Sequence, residues 1–278
     1  MYISIQKLQA VWLIIPVEIS AMALVLRKLK DVYLYSEERS DPKNVGIVTN
    51  PLFIVSFVVL YVLLVKKIGP SFMKNRQPYN IRSILIVYNI FQILVNVYLL
   101  AKALYFYAHS PYYICFQSTK VHILDLGRWE IFLLKAFDCI ETIFFVLKKN
   151  YRQVSFLHVY HHGGMALLTW VGLKYDWGQL VVILPLLNCF VHALMFTYYL
   201  LTSIDPKWKK RVDIKKALTQ LQLIQFAMFV VQAIGTMVIP GCDNPSYLGT
   251  VAWISQNLFM TLLFGDFYIK TYWRKKSE

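Results

Sequence analysis

The chain has 278 residues, of which 58% are apolar and 16% aromatic, and only 16% are charged. That balance excludes an ordinary soluble domain and points to a polytopic membrane protein. The net charge of +14 sits in short runs between apolar segments, the pattern of membrane topology and not of a nucleic-acid surface.

The N-terminal run 8–26 is apolar but interrupted by Pro16 and Glu18. A signal peptide, an interfacial helix and an extra span all stay open for it, and no cleavage motif is clear. A window of about 19 residues then predicts seven spans, near 51–69, 84–107, 129–147, 156–173, 180–201, 217–239 and 248–269. The connections 66–82, 148–155 and 203–216 and the tail after 269 together carry 18 Lys and Arg, against 8 in the alternate set. By the positive-inside rule the richer set and the C-terminus are cytosolic. No long linker or internal repeat is visible. The expected fold is an all-α polytopic membrane protein of seven transmembrane helices, with spans two to seven enclosing an interior catalytic cavity. Residues 1–30 read as an extension, 31–272 as the membrane domain and 273–278 as a cytosolic tail.

A charged side chain inside hydrocarbon costs roughly 2.5–3.5 kcal/mol even on lenient scales, so polar residues within spans are the informative ones. The third span reads LLKAFDCIETIFFVLKK. Helical periodicity puts Lys135, Asp138 and Thr142 within about 60° of arc, with Glu141 at the edge. An internal Lys135–Asp138 ion pair is one reading of them, and it does not forbid a catalytic one. The fourth span reads FLHVYHHGGMALLTW, with His158, His161 and His162 on one face. The fifth places Asn188 and His192 at i and i+4, where an amide can fix an imidazole tautomer, with Tyr198 and Tyr199 beyond. In the sixth, Thr219, Gln222 and Gln225 share a face. Polar faces on four spans are most economically packed around one water-accessible interior.

Three histidines on a face suggest iron, as in membrane desaturases and hydroxylases, but a di-iron centre needs about eight imidazoles. The chain has six, and His109 and His122 fall in a lumenal connection. The four that remain suffice for one zinc at most. Without metal, imidazoles, a lysine, carboxylates and amides suit acyl transfer and carbanion chemistry. Cys139 and Cys189 lie nearby but without a Cys–His arrangement, and thiols in apolar surroundings are usually inert.

HVYHH (158–162), the stretch Lys135–Thr142, NCFVHALMFTYY (188–199) and TQLQLIQF (219–226) resemble, in order and spacing, four signature boxes of fatty acid elongases. IGPSFMKNRQPYN (68–80) looks like that family's first cytosolic loop. Two departures stand out. The family pattern KxxExxDT appears as Lys135, Asp138, Glu141, Thr142, with the carboxylates exchanged in length, and Phe196 stands where the family usually has Tyr.

The resemblance implies a very-long-chain 3-oxoacyl-CoA synthase of the endoplasmic reticulum membrane. Such an enzyme condenses acyl-CoA with malonyl-CoA, with loss of carbon dioxide, and needs no cofactor or metal. Beside the resemblance, the residues themselves lead to an expected acyl-imidazole scheme, with His161 or His192 as nucleophile, His158 and His162 as orienting groups or donors, and Asn188, Gln222 and Gln225 fixing tautomers and the oxyanion. The alternative is that His161 and His192 only hydrogen-bond across helices, with direct attack on acyl-CoA in one ternary complex. Lys135 with Asp138 or Glu141 sets the local charge, and Thr142, Tyr198, Tyr199 and Thr219 contact substrate. Lys148, Lys149, Arg152, Lys207, Lys209, Lys210, Arg211, Lys215 and Lys216 could meet the phosphates of CoA, topology alone being the plainer account of most. Lumenal Cys115 and Cys242 are expected to pair, and Lys275 and Lys276 resemble a dilysine retrieval signal. Expected partners are membrane lipid, the ketoacyl reductase, dehydratase and enoyl reductase of the same cycle, and a second copy of the chain. The competing classes are a His-box metal-dependent desaturase or hydroxylase and a seven-span receptor or transporter.

Overall fold

The structure, a computed structural model, describes residues 50–109, 122–174, 185–240 and 247–273. The chain divides into two units, Met1–Val45 and Gly46–Glu278, and all described residues belong to the second. The run 8–26, Cys115, Cys242, Lys275 and Lys276 lie outside them.

Helices account for the described segments, and no strand occurs among the described residues. They are α1 (Pro51–Met73), α2 (Arg82–His109), α3 (His122–Leu147), α4 (Phe156–Lys174), α5 (Leu186–Ile204), α6 (Val212–Val238) and α7 (Tyr247–Tyr268). Each coincides with an expected span, though ends differ. Helix α6 begins five residues earlier than its apolar window, because its polar first turn is helical without being apolar. Four helices are long and apolar enough to cross a membrane: α1, α2, α5 and α6. Helices α3, α4 and α7 fall short of that measure, and in α3 and α4 the cause is the charged and imidazole side chains that mark the site.

The polarity is inverted relative to a soluble protein. Leu52, Val87, Leu94, Val231 and Val238 are at least 64% exposed, whereas Gln92, Asn96, Lys135, Asp138, Thr142 and His192 are at most 6% exposed. Apolar exteriors around a polar interior fit a lipid surround. The chain is a multi-pass membrane protein.

Local chemistry sets the helix ends that position the site. Asn50 Oδ1 accepts from Leu52 N at 2.9 Å, with Pro51 following, an N-terminal signature that starts α1. Ser155 Oγ accepts from the His158 backbone N–H at 3.2 Å, so α4 starts one turn before its histidines. The Arg82 guanidinium donates to the carbonyls of Ser203 and Ile204 at 2.9 and 2.7 Å, satisfying the last turn of α5 from the first turn of α2.

Helices α3 and α4 form a hairpin, as do α6 and α7, while α2 packs along α5 and α1 along α4. Further contacts join α5 to α6 and α4 to α7. A hydrogen bond from Gln92 to Asp138 and a stacked Tyr88–Phe137 pair join α2 to α3. These contacts link α2 to α5, α5 to α6, α6 to α7, α7 to α4, α4 to α3 and α3 to α2, with α1 against α4.

Helix α1 contains a π-helical segment, Leu64–Ile68, ending at Gly69. A Cβ on Gly69 would stand 2.7 Å from Leu64 O and 2.8 Å from Val146 Cγ1. Gly→Ala inside a helix ordinarily stabilises by about 1 kcal/mol. Here Gly69→Ala is expected to destabilise by about 1–3 kcal/mol through overpacking. A thermal unfolding midpoint in detergent equal to or above that of wild type would contradict this.

Candidate active site

Helix α4 supplies His158, His161 and His162, α3 supplies Lys135, Asp138, Glu141 and Thr142, and α5 supplies His192. Lys135 Nζ and Asp138 Oδ2 are 3.1 Å apart, both nearly inaccessible. The expected internal ion pair is formed. The second carboxylate oxygen of Asp138 accepts from Gln92 Nε2 at 2.7 Å. Gln92 also donates to Tyr88 Oη at 2.9 Å, and Asn96 Nδ2 donates back to the Gln92 carbonyl at 2.8 Å. A buried ion pair is tolerable only when its remaining lone pairs are satisfied, and α2 provides that satisfaction.

The histidines fall into two kinds. His158 Nε2 is 3.0 Å from Thr142 Oγ1, which is itself 2.8 Å from Tyr61 Oη, so α1 reaches the site through one phenol. His162 Nε2 stands 3.6 Å from Glu141 Oε2. By contrast, the buried Nδ1 atoms of His161 and His192 have no hydrogen-bond partner. Lys135 lies within electrostatic reach of His161, His162 and His192, which places the α3, α4 and α5 groups around one centre.

A cavity of about 1510 Å³ adjoins this centre. Glu141, Tyr88, Tyr199 and Phe264 are among its inner lining, and Arg82, Lys148, Arg152, Lys209, Lys215, Lys216 and Lys270 supply its cations. Partial burial, and then the neighbouring Lys209, hold the Lys148 ammonium below its ordinary pKa.

Of the residues expected from sequence to contact substrate, Tyr198, Tyr199, Thr219, Gln222, Lys148 and Arg152 line this cavity. Thr142 does not, being engaged by Tyr61 and His158. Gln225 is buried with its Oε1 unpartnered, and Lys149 donates to the Lys74 carbonyl at 3.3 Å. Lys207, Lys210 and Arg211 are not on the lining either, and Arg211 pairs with Asp213 at 2.6 Å. The expected Asn188–His192 contact is not made: Asn188 Oδ1 and His192 Nδ1 both lack partners. Asn188 lies in a π-helical segment, Pro185–Cys189, so the spacing to His192 is not that of a regular α-turn. Cys139 and Cys189 are free and buried. Phe196, 1% exposed, packs edge-on against Tyr88 and Tyr199, filling its place with a ring that needs no partner.

Sequence reasoning missed Tyr61, Tyr88, Gln92 and Asn96. A signal was present, since Asn89, Gln92 and Asn96 recur at i, i+3 and i+7 in an otherwise apolar span. Gln92→Leu leaves Asp138 and Tyr88 without that partner and is expected to destabilise by about 1–3 kcal/mol. An unaltered melting midpoint would show the amide to be dispensable.

The fold and site define a helical membrane protein with a buried histidine, lysine and carboxylate centre beside a cation-lined cavity. Residues 47–278 match the family described as ELO: GNS1/SUR4 family, and the chain belongs to it. It is 33% identical over 265 residues to a very long chain fatty acid elongase of Aedes aegypti, covering 90% of this chain and 72% of that one. It is 32% identical over 267 residues to very long chain fatty acid elongase 4 of Homo sapiens, covering 93% and 84%. With very long chain fatty acid elongase F of Drosophila melanogaster it shares 34% over 242 residues, covering 84% and 93%.

Proposed function

We propose that the chain is a fatty acid elongase, condensing a long-chain acyl-CoA with malonyl-CoA. The observation that carries this reading is a buried imidazole and ion-pair centre beside a cation-lined cavity, in a chain whose relatives are named elongases. The cavity, enclosed by spans two to seven, holds the acyl chain and the reacting carbons, and its cations meet the phosphates of CoA.

In the first step an imidazole nitrogen of His161 or His192 attacks the thioester carbonyl. The C–S bond breaks, an acyl-imidazole forms, and CoA leaves as the thiol with the imidazole proton. In the second step malonyl-CoA loses carbon dioxide, and the electron pair of the broken C–C bond attacks the acyl carbon. The C–N bond breaks, the imidazole recovers a proton, and the product is a 3-oxoacyl-CoA two carbons longer. Loss of carbon dioxide makes the carbanion, so no strong base is needed, and exclusion of water protects the acyl-imidazole. The unengaged Nδ1 atoms of His161 and His192 support their assignment as nucleophile and assistant. The engaged His158 and His162 suit orientation or donation to the developing oxyanion. Asn188 and Gln225, each with a buried oxygen lacking a partner, suit polar contact with substrate.

The same reading has seven spans, an endoplasmic reticulum location, a cytosolic C-terminus bearing the Lys275–Lys276 signal, and a lumenal Cys115–Cys242 bridge. The substrates are the acyl-CoA and malonyl-CoA, with no resident cofactor. The partners are the remaining enzymes of the elongation cycle and a second copy of the chain.

The test is direct. Purified full-length protein, given labelled malonyl-CoA and palmitoyl-CoA, should form labelled 3-oxoacyl-CoA with carbon dioxide and CoA in equal amounts. Folded protein that forms no malonyl-dependent product with any acyl-CoA from medium to very long chain would contradict the proposal.

A further inference from the structure

Glu141, His158 and His162 bring one ligand atom each within 4.8 Å of one another. His158 and His162 stand one turn apart on α4 with ring centroids 4.2 Å apart, and Glu141 projects from the neighbouring α3. Two imidazoles and a carboxylate form a known three-ligand zinc set that leaves a fourth position open. Tetrahedral ligands at zinc-bond distance lie about 3.4 Å apart. The His162–Glu141 pair, at 3.6 Å, is nearly there already.

Two further observations fit a cation. His158 Nε2 is held by Thr142 Oγ1, itself held by Tyr61. With Nε2 so engaged, Nδ1 is the His158 nitrogen left to ligate an ion, and the contact fixes the ring's orientation. Glu141 also lines the cavity, so an ion has a route to the set. His161, between the two ligands in sequence, turns instead toward Phe264, at a centroid distance of 6.1 Å.

We infer that Glu141, His158 and His162 form a Zn²⁺ site through which zinc inhibits the enzyme. The inhibitory half rests on the function proposed above; the binding half does not. Zinc on this set immobilises the two imidazoles that orient the transfer and keeps them from the substrate carbonyl.

The experiment uses full-length protein with no histidine tag, stripped by chelator and dialysed against Zn²⁺, with metal content read by atomic emission. Wild type and His109→Gln, whose change lies at the far end of α2, should each retain one zinc per chain. Glu141→Gln and His158→Gln should lose it. Glu141→Asp, shorter by one methylene and the mildest change to the fold, should bind at least tenfold more weakly. In the elongation assay zinc should inhibit wild type and His109→Gln alike, and EDTA should reverse this. Equal zinc in wild type and Glu141→Asp overturns the site, as does zinc lost in His109→Gln. Stoichiometric zinc without inhibition of an active enzyme overturns the regulatory claim. Protein that loads zinc through these residues but elongates no acyl-CoA contradicts the proposed function and leaves the site standing.

Discussion

His161→Ala and His192→Ala are each expected to lower kcat by about 10³-fold or more, the scale of losing a nucleophile or its assisting base. Groups that act as a unit are strongly non-additive. The double variant should therefore be hardly slower than the worse single one. The two side chains have buried Nδ1 atoms with no structural partner, so their removal should leave the melting midpoint near that of wild type. If either variant keeps a tenth of the activity, or if losses multiply in the double, the two imidazoles do not share one step.

Asp138→Ala should be the most destabilising single change in the site. It leaves Lys135 charged and buried with no counter-ion, a loss of about 3–5 kcal/mol. It also frees the Gln92 amide. Replacing both partners, as Lys135→Met with Asp138→Leu, should recover most of that stability while activity stays lost, since apolar residues of similar volume often substitute for a buried pair. A double-mutant cycle on unfolding midpoints measures the coupling. A single Asp138→Ala as stable as wild type would mean that water reaches Lys135 and the pair is not sealed.

What was legible in the sequence is what carries charge or a strong period. Lys135 and Asp138, three residues apart in an apolar span, had an internal ion pair as one reading, and the pair is formed. The three histidines share one helix because their spacing allows little else, and the seven helices follow the apolar windows. The amides of α2 carry no charge, and nothing in one helix tells an amide that merely joins helices from Gln92, which joins α2 to Asp138 of the site. Tyr61 escaped because a phenol in a span resembles an interfacial aromatic, and only the tertiary contact reveals Thr142 opposite it. The Asn188–His192 contact failed because it assumed α-helical rise through a π-helical segment. A π-turn adds one residue to the ring and leaves no periodic mark. The split of the histidines into engaged and unengaged pairs depends on neighbours from α1 and α3, which no single helix records.

Whether an imidazole carries the acyl group is decided by giving the protein acyl-CoA and no malonyl-CoA. One CoA should be released per chain, and the protein mass should increase by the acyl group. The increase should disappear in whichever of His161→Ala or His192→Ala removes the nucleophile, and later malonyl-CoA should convert the bound acyl group to product. If wild type releases no CoA and gains no mass until malonyl-CoA is present, the acyl-imidazole does not form. The histidines then act only as bases and donors within a single ternary complex.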